Sequence, residues 1–277
     1  MDEVTRLADG DLGPFEGSSD DQVVFGHYVR EGTWAPGLVS LISERLLPAD
    51  GGTFIDVGAN IGLVTIPIIE RTKAIGLAFE PEPRNFHHLQ RNVAHRGLAH
   101  RVETFNVAVY SGEAKLRMEL SNDNHGDHRV LPESSEDGAR RTVDVAAAPL
   151  DVLLADRPLA PPVVMKVDTQ GCEVRVLSGA ENVLARTDYL IVEYWPAGIR
   201  RMGDSMQALE DLLARFPFAT VLDQHTLPTQ LEPVRTALES LAWVPRDGSD
   251  EGFFDLLCAK TNDWKGGGAV PSRGTSP

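Results

Sequence analysis

Short apolar runs alternate with longer amphipathic segments along most of this chain. From about residue 50, a strand, a helix, a strand, a helix and a strand are predicted in turn, at "GTFIDV", "GLVTIPIIERTK", "AIGLAFEP", "PRNFHHLQRNVAHRG" and "RVETFNVAVY". The alternation resumes at "PPVVMKVD" and "DYLIVEYW", and "ATVLDQ" and "FFDLLCAK" are candidate last strands. This order predicts an α/β fold with a doubly wound, mostly parallel sheet.

The region 109–150 breaks this rhythm. "EAKLRMEL" alternates like a strand, and "RTVDVAAAPLDVLL" begins like another. The polar, turn-rich stretch "SNDNHGDHRVLPESSEDGA" lies between them. We predict a small insertion of two strands joined by a long loop, and loops of that length in compact domains are often functional.

The two ends of the chain differ in composition from its middle. Residues 1–48 are predicted to form a loose N-terminal arm, over 1–21, and a helix from Pro36 to Leu47, with Pro36 in its first turn. The main domain is predicted over 49–262. The Gly-, Ser- and Pro-rich tail, 263–277, is predicted to be disordered.

The composition limits the partners of the chain. Its 277 residues carry a formal net charge of -15, and this acidity argues against a general nucleic-acid binder, since phosphate backbones would be repelled. The N-terminus lacks the apolar core of a signal peptide. No run approaches the roughly 18–20 apolar residues that cross a bilayer. We therefore expect a cytoplasmic protein with no membrane partner. Cys172 and Cys258 are predicted to be buried free thiols.

The stretch "DVGANIG" joins the first predicted strand of the domain to its helix. Gly58 and Gly62 flank Asn60, and glycine allows a ligand to approach the main chain closely. The spacing is not the G-x-G-x-x-G of a dinucleotide site, and the lysine of a P-loop is missing. Asp56, just before the turn, suits a cationic partner, and S-adenosylmethionine carries both a sulfonium and an ammonium group.

Two further strand ends complete the predicted cofactor site. Glu80 ends the second strand of the domain, where a carboxylate can accept both hydroxyls of a ribose. The third strand ends near Asn106, which could bond a base edge, while Val107 and Ala108 could pack against its face. Glu80 could instead be a solvated or capping acid, and Asn106 could be a turn residue.

Five stretches together resemble the FkbM family of S-adenosylmethionine-dependent methyltransferases, over roughly residues 50–200. They are "FIDVGANIGLVT", "FEPEPRNFHHLQRN", "NVAV", "SNDNHGDHRV" and "MKVDTQGCEVRVLSGA". The resemblance implies a seven-stranded, Rossmann-like methyltransferase sheet with a late β-hairpin. It also implies methyl transfer, usually to a hydroxyl of a sugar, glycan or polyketide-type natural product.

The resemblance assigns particular residues to the cofactor. Positions that match the family's are Asp56, Gly58, Asn60, Gly62 and Glu80, and we add the neighbours Ala59 and Pro81. The match at "KVDTQGCE" is imperfect, since Thr169 and Gln170 replace a Val-Glu pair that is common in the family. If that glutamate serves as base or metal ligand in relatives, this chain lacks it. We therefore assign no metal ligand, and a Mg²⁺ requirement has no support in the sequence.

Acidic residues at the next strand ends are candidates for chemistry on an acceptor hydroxyl, which must lose its proton as it attacks. Asp168 is the candidate general base. Lys166, two residues earlier on the same side of the strand, could orient Asp168 or hold an acidic group of the substrate. The two could equally form a structural ion pair. Glu193 ends the following strand and is assigned to the same pocket, although a simple strand-end acid would fit equally well.

The polar loop supplies the remaining pocket candidates. Asn124, His125 and His128 are assigned to the acceptor pocket, although a base, a metal pair or a surface position would also fit two histidines. His87 and His88, on the second helix of the domain, are predicted to be solvated. Tryptophans could wall the pocket, but core packing explains them better; they are Trp34, Trp195 and Trp243.

The leading interpretation is an O-methyltransferase for a small-molecule or saccharide acceptor. Alternatives are an N- or carboxyl-methyltransferase, a nucleotide-dependent oxidoreductase, and a catalytically silent binding domain. The sequence leaves the acceptor and the oligomeric state open, with a homodimer possible.

Overall fold

The computed structural model describes residues 5–47, 50–132, 140–222, 230–241, 244 and 252–262. Its strands are β1 (Thr5–Gly10), β2 (Gly13–Ser18), β3 (Thr53–Val57), β4 (Ile75–Phe79), β5 (Val102–Phe105), β6 (Ala108–Val109), β7 (Ala114–Glu119), β8 (Arg129–Val130), β9 (Thr142–Ala148), β10 (Val163–Val167), β11 (Tyr189–Tyr194), β12 (Phe218–Leu222), β13 (Glu232–Pro233) and β14 (Phe254–Ala259).

Helices connect most of these strands. They are α1 (Val24–Glu31), α2 (Pro36–Leu41), α3 (Thr65–Arg71), α4 (Pro83–His95), α5 (Leu150–Leu153), α6 (Glu173–Ser178), α7 (Glu181–Arg186), α8 (Pro196–Arg201), α9 (Met206–Leu213) and α10 (Val234–Ser240). A π-helical turn, Ile42–Leu46, continues α2, as the predicted helix from Pro36 requires.

The central sheet has the strand order β13-β12-β14-β11-β10-β3-β4-β5. The five strands β5, β4, β3, β10 and β11 run parallel, and β14 lies antiparallel between β11 and β12. The predicted doubly wound, mostly parallel α/β sheet is therefore confirmed. Seven strands make up the body of the sheet, and the two-residue β13 extends one edge.

Hydrophobic side chains pack on both faces of this sheet because neighbouring residues of a strand point to opposite sides. Ile55 and Val57 of β3 face a core shared with the second sheet and α6, α7 and α9. Phe54 of the same strand faces the core under α1, α2, α3 and α4. Asp56 has the same parity as Phe54, and so has Lys166 relative to Val164 on β10.

The insertion forms a separate four-stranded sheet of order β6-β9-β7-β8. The predicted strands at "EAKLRMEL" and "RTVDVAAA" are β7 and β9, and the loop between them adds β8. The single strand predicted at "RVETFNVAVY" is wrong, because the chain turns at Asn106. The part before it joins the central sheet as β5, and the part after it joins the insertion as β6.

The prediction of a loose N-terminal arm is also wrong. β1 and β2 form an antiparallel hairpin that packs on α4. The Asn92 side chain bonds both backbone groups of Glu16, at 2.7 and 2.9 Å. The Glu16 carboxylate accepts from Arg91 and pairs with the buried His88, so the prediction that His88 is solvated is wrong too. The predicted disordered tail lies outside the described residues.

Candidate functional site

The glycine turn follows β3 at the switch point of the sheet, where β4 and β10 lie on either side of β3. In open α/β sheets, ligands bind in the crevice beyond the carboxyl ends of the strands at such a point. The backbone N–H groups of Gly58 and Ala59 both donate to the Phe79 carbonyl on β4, at 3.0 Å each. The turn is therefore tied to the end of the neighbouring strand.

Close packing fixes the residues of this turn. Gly58 has φ +89°, and a Cβ there would lie 2.0 Å from the carbonyl oxygen of Asp168. Gly62 has φ +92° and packs beside Leu89. The helix expected to begin near Gly62 begins only at Thr65, because the residues after Gly62 continue the turn.

Glu80 follows β4 and faces the glycine turn. One carboxylate oxygen accepts the N–H of Asn60 at 2.9 Å, and the other accepts the N–H of Glu82 at 2.8 Å. Burial raises the pKa of Glu80 to about 8, against the lowering effect of the Glu82 N–H. Since each oxygen keeps a further lone pair, the group can still bind two hydroxyls of a ligand.

Only some of the residues predicted to contact the adenine lie in the cavity wall. Val107 and Ala108 line the cavity at this end of the sheet, as does Pro81. Asn106 and Gly62 are not among the lining residues. The Asn106 amide donates to the carbonyls of Glu80 and Pro81, at 2.9 and 3.0 Å, so it holds one loop to another.

Asp56 and Lys166 are register partners on β3 and β10. Lys166 Nζ lies 3.5 Å from Asp56 Oδ1 and 3.2 Å from Asp168 Oδ2. Burial opposes the lysine charge, but the carboxylates of Asp168 and Asp56 outweigh it and raise the pKa of Lys166. The predicted pairing of Lys166 with Asp168 is therefore present.

One oxygen of Asp56 has an unmet hydrogen bond. Asp56 is fully buried, and its Oδ2 accepts from Thr65 Oγ1 at 2.6 Å. Its Oδ1 makes no hydrogen bond to any described residue, and Lys166 Nζ lies 3.5 Å from it in the ion pair described above. A buried carboxylate oxygen in the cavity wall fits a cationic ligand group.

A row of carboxylates crosses four adjacent strands at this edge. Glu193 on β11 and Asp255 on β14 are register partners and join Asp56 and Asp168 around Lys166. Burial, followed by repulsion from Asp168, raises the pKa of Glu193 to about 10 and that of Asp255 to about 6. Sequence reasoning missed Asp255, because only the antiparallel register of β14 brings it here.

Gln170 connects two of these carboxylates. It has φ +57°, and its amide nitrogen lies 3.1 Å from Asp168 Oδ1 and 3.5 Å from Glu193 Oε2. A glutamate here would add another negative charge to the row. In this chain, the departure from the family pattern therefore supplies a neutral donor to the candidate base.

The polar loop contributes to the wall of the same cavity as the strand ends. The His125 carbonyl accepts from Asn60 Nδ2 at 3.1 Å and from Asn85 Nδ2 at 3.0 Å. The His125 N–H donates to Asp21 Oδ1 at 3.3 Å. These bonds hold the loop to the glycine turn, to α4 and to the segment before α1. Asn124, His125 and His128 of this loop all line the cavity.

Two of the tryptophans lie in the cavity wall rather than only in the core. Trp34 and Trp195 both line it, while Trp243 lies outside the described residues. Trp195 is buried beneath two guanidinium groups, those of Arg129 and Arg201, at 4.8 and 5.1 Å from its ring centroid.

The cavity has a volume of about 570 Å³, in the range of small-molecule and cofactor sites. It brings together every predicted site residue except Gly62 and Asn106. The described part of the chain contains no group of three or more His, Cys, Asp or Glu side chains arranged to hold a metal ion. Among the helices it contains, not one combines the length and the apolar character that crossing a membrane requires.

A doubly wound sheet with a glycine turn and strand-end carboxylates at its switch point defines a Rossmann-like class of protein. The model of the methyltransferase FkbM domain matches residues 56–218 of this chain, which is more than half of it. The chain belongs to the FkbM methyltransferase family, as the resemblance of its motifs indicates.

A curated relative and solved structures complete the comparison. The chain is 33% identical over 138 residues to hexuronic acid methyltransferase AglP of Haloferax volcanii, over 50% of this chain and 54% of that protein. The match thus spans about half of the relative's length. Methyltransferase FkbM from Methylobacillus flagellatus KT is 17% identical with a TM-score of 0.48, over 80% of this chain and 47% of that one. A precorrin-6y C5,15-methyltransferase from Geobacter metallireducens GS-15 is 10% identical with a TM-score of 0.41, over 80% and 87%.

Proposed function

We propose that this chain is an S-adenosylmethionine-dependent O-methyltransferase that acts on a hydroxyl of a sugar or related small molecule. The observation that carries the proposal is that the glycine turn, Glu80 and the Lys166–Asp168 pair all line the same cavity. The family match supports methyl transfer. The name of the Haloferax relative supports a saccharide acceptor.

The cofactor half of the cavity has suitable groups for S-adenosylmethionine. Glu80 would hold the ribose, and Val107 and Ala108 would pack on the base. Asp56 Oδ1, which makes no hydrogen bond and also pairs with Lys166, would face the positive end. When bound, the cofactor supplies an electrophilic methyl group. The glycine turn lets the ligand approach the main chain, because Gly58 has no side chain in the way.

Asp168 is the base of the proposed reaction. Its carboxylate takes the proton of the acceptor hydroxyl, and its side chain is about 40% exposed, so it is within reach of a ligand. Lys166 holds one oxygen of this carboxylate and the Gln170 amide holds the other. Because both oxygens are held, the base is oriented before the acceptor arrives.

Calorimetric titration with S-adenosylmethionine, S-adenosylhomocysteine and NADH tests the cofactor assignment. We expect adenosyl binding near the micromolar range, about -8 kcal/mol, and no NADH binding. Glu80→Ala should weaken adenosyl binding at least about tenfold, since it removes the ribose acceptor. The exposed Glu113→Ala is the matched control. Well-folded wild-type protein that binds none of the adenosyl compounds would end the proposal.

Transfer of a labelled methyl group to a panel of neutral and acidic sugars tests the reaction. Asp168→Asn should lose transfer, by about 10²-fold or more, and keep adenosyl binding. A product that resists mild base is an ether, as transfer to a hydroxyl requires. A base-labile ester would favour the carboxyl-methyltransferase alternative instead.

A further inference from the structure

Three of the side chains that line the cavity are hydrogen-bond donors. His128, Arg129 and Trp195 all line the cavity, and the Arg129 guanidinium lies over the Trp195 ring at 4.8 Å. His128 precedes Arg129 in the chain, just before β8. These three side chains, which line the same cavity, are here called the donor patch.

The hydrogen bond to His128 fixes its tautomer. Its Nδ1 accepts the backbone N–H of Ser121 at 3.1 Å, so the proton of the neutral ring is on Nε2. Burial, helped by the charges of His125 and Arg84, lowers the pKa of His128 to about 3, and the ring stays neutral. His128 is therefore a donor at Nε2 and is not suited to act as a base.

Two buried donors of the patch have no partner. His128 is 8% exposed and Trp195 is 4% exposed. Neither His128 Nε2 nor Trp195 Nε1 makes a hydrogen bond to any residue that the structure describes. Because an unmet buried donor costs free energy, a pair of them in one cavity wall points to a ligand with acceptor oxygens.

Arg129 adds a positive charge to these donors. Its Nε donates to Asp127 Oδ1 at 2.5 Å, while its Nη groups donate to no described residue. Arg201 lies 5.1 Å from the same Trp195 ring, and its Nη2 donates to the Gln170 carbonyl rather than to a carboxylate of the described chain. Asp127 forms ion pairs with Arg129 and, at 3.5 Å, with Arg140, whereas Arg201 forms no ion pair with a carboxylate of the described residues.

A carboxylate is the group that this patch fits best. It is acceptor-only, and a guanidinium binds it through two parallel hydrogen bonds. A phosphate presents the same oxygens but carries more negative charge, which the carboxylate row that lines the same cavity would repel more strongly. We propose that the donor patch binds a carboxylate of the acceptor, so that the substrate is an acidic sugar of the uronate class; this inference rests on the proposed function.

Calorimetry on the full chain loaded with S-adenosylhomocysteine tests the inference. The probes are methyl α-glucuronoside, methyl α-glucoside and glucose 6-phosphate. We expect the glucuronoside to bind at least about tenfold (about 1.4 kcal/mol) tighter than the neutral glucoside. Arg129→Met should remove this difference, while Arg157→Met, in an exposed ion pair away from the cavity, should keep it.

Variants of the two orphan donors separate binding from folding. His128→Asn can still accept the Ser121 N–H but has no Nε2 donor, and Trp195→Phe keeps an aromatic ring without an N–H. Each should weaken glucuronoside binding and leave the weaker glucoside binding unchanged. Equal affinity for the two glycosides, tighter binding of the phosphate, or no effect of Arg129→Met would overturn the inference.

Adenosyl binding distinguishes failure of this inference from failure of the proposed function. If the variants bind S-adenosylhomocysteine normally and the sugars show no preference, only the donor patch is refuted. If wild-type protein does not bind S-adenosylhomocysteine, the proposed function fails, and the same titration without it still decides whether the patch selects a carboxylate.

Discussion

At the scale of single residues, Gly58 has the least freedom in the site. Its positive φ disfavours other residues, and the Asp168 carbonyl oxygen occupies the space that a Cβ would need. The turn that approaches the ligand and the strand end that carries the candidate base are therefore in direct van der Waals contact. Any side chain at position 58 would push the two strand ends apart.

We expect Gly58→Ala to lower the free energy of unfolding by about 2–4 kcal/mol, from the strained φ and the clash together. Two other glycines are graded controls in urea unfolding. Gly97→Ala has a positive φ but open space, so it should cost about 1–2 kcal/mol. Gly112→Ala has neither problem and should change stability by less than about 0.5 kcal/mol. Equal effects at positions 58 and 97 would show that the clash is relieved.

At the scale of elements, the alternation of strands and helices along the chain was predictable from the sequence, but contacts between distant segments were not. The alternation of strands and helices gives the parallel sheet, because each apolar run and each amphipathic stretch is a local signal. The β1–β2 hairpin has no such signal, since "TRLADG" and "GPFEGS" lack a regular apolar face. Its position depends on Glu16 and on side chains of α4 that are more than 70 residues away.

The same limit applies to the site. Strand-end acids and the glycine turn were predictable, because parallel strands bring their carboxyl ends to one edge. Asp255 needed the register of an antiparallel strand, and the role of Asn106 needed the turn that separates β5 from β6. The loop histidines were identified, but the tautomer of His128 depends on a backbone N–H seven residues away.

Asp21 holds two elements at once. Its carboxylate accepts the N–H groups of Val23, Val24 and Phe25 at the start of α1. It also accepts the N–H of His125 in the polar loop. We expect Asp21→Ala to lower stability by about 1–2 kcal/mol, the usual cost of a lost helix cap.

Hydrogen exchange is the measurement for this variant. Faster exchange is expected both in the first turn of α1 and at the loop around His125, because both lose the same acceptor. Asp20→Ala, at an exposed neighbouring position, is the control. Faster exchange confined to α1 would mean that the loop is held without Asp21.

At the scale of the whole molecule, the buried carboxyl groups of the site also set how stability depends on pH. Glu80, Glu193 and Asp255 all have a pKa above the ordinary value of a free carboxyl group, and burial is the main cause in each. Folding therefore takes up protons when the pH lies between the ordinary and the raised values. Stability from these groups is greatest at low pH and falls as the pH rises.

Glu193→Gln should make this pH dependence weaker. With a pKa of about 10 in the folded state and 4.5 as its ordinary value, Glu193 destabilises the fold progressively across that window. In urea unfolding between pH 6 and 9, the free energy of unfolding should fall with pH less steeply in the variant, by up to about 1.4 kcal/mol per pH unit. The exposed Glu113→Gln should keep the wild-type slope. An unchanged slope in Glu193→Gln would mean that Glu193 ionises normally.

The carbonyl of His125 has a consequence for ligand binding. It accepts hydrogen bonds from Asn60 of the glycine turn and from Asn85, so the loop that carries His128 and Arg129 is tied to the cofactor half of the cavity. Two sites that share an ordering step are thermodynamically linked, and the linkage is reciprocal. If the proposed function holds, we therefore expect the methyl donor and the sugar to raise each other's affinity by the same factor, which calorimetric titration of each ligand with and without the other checks.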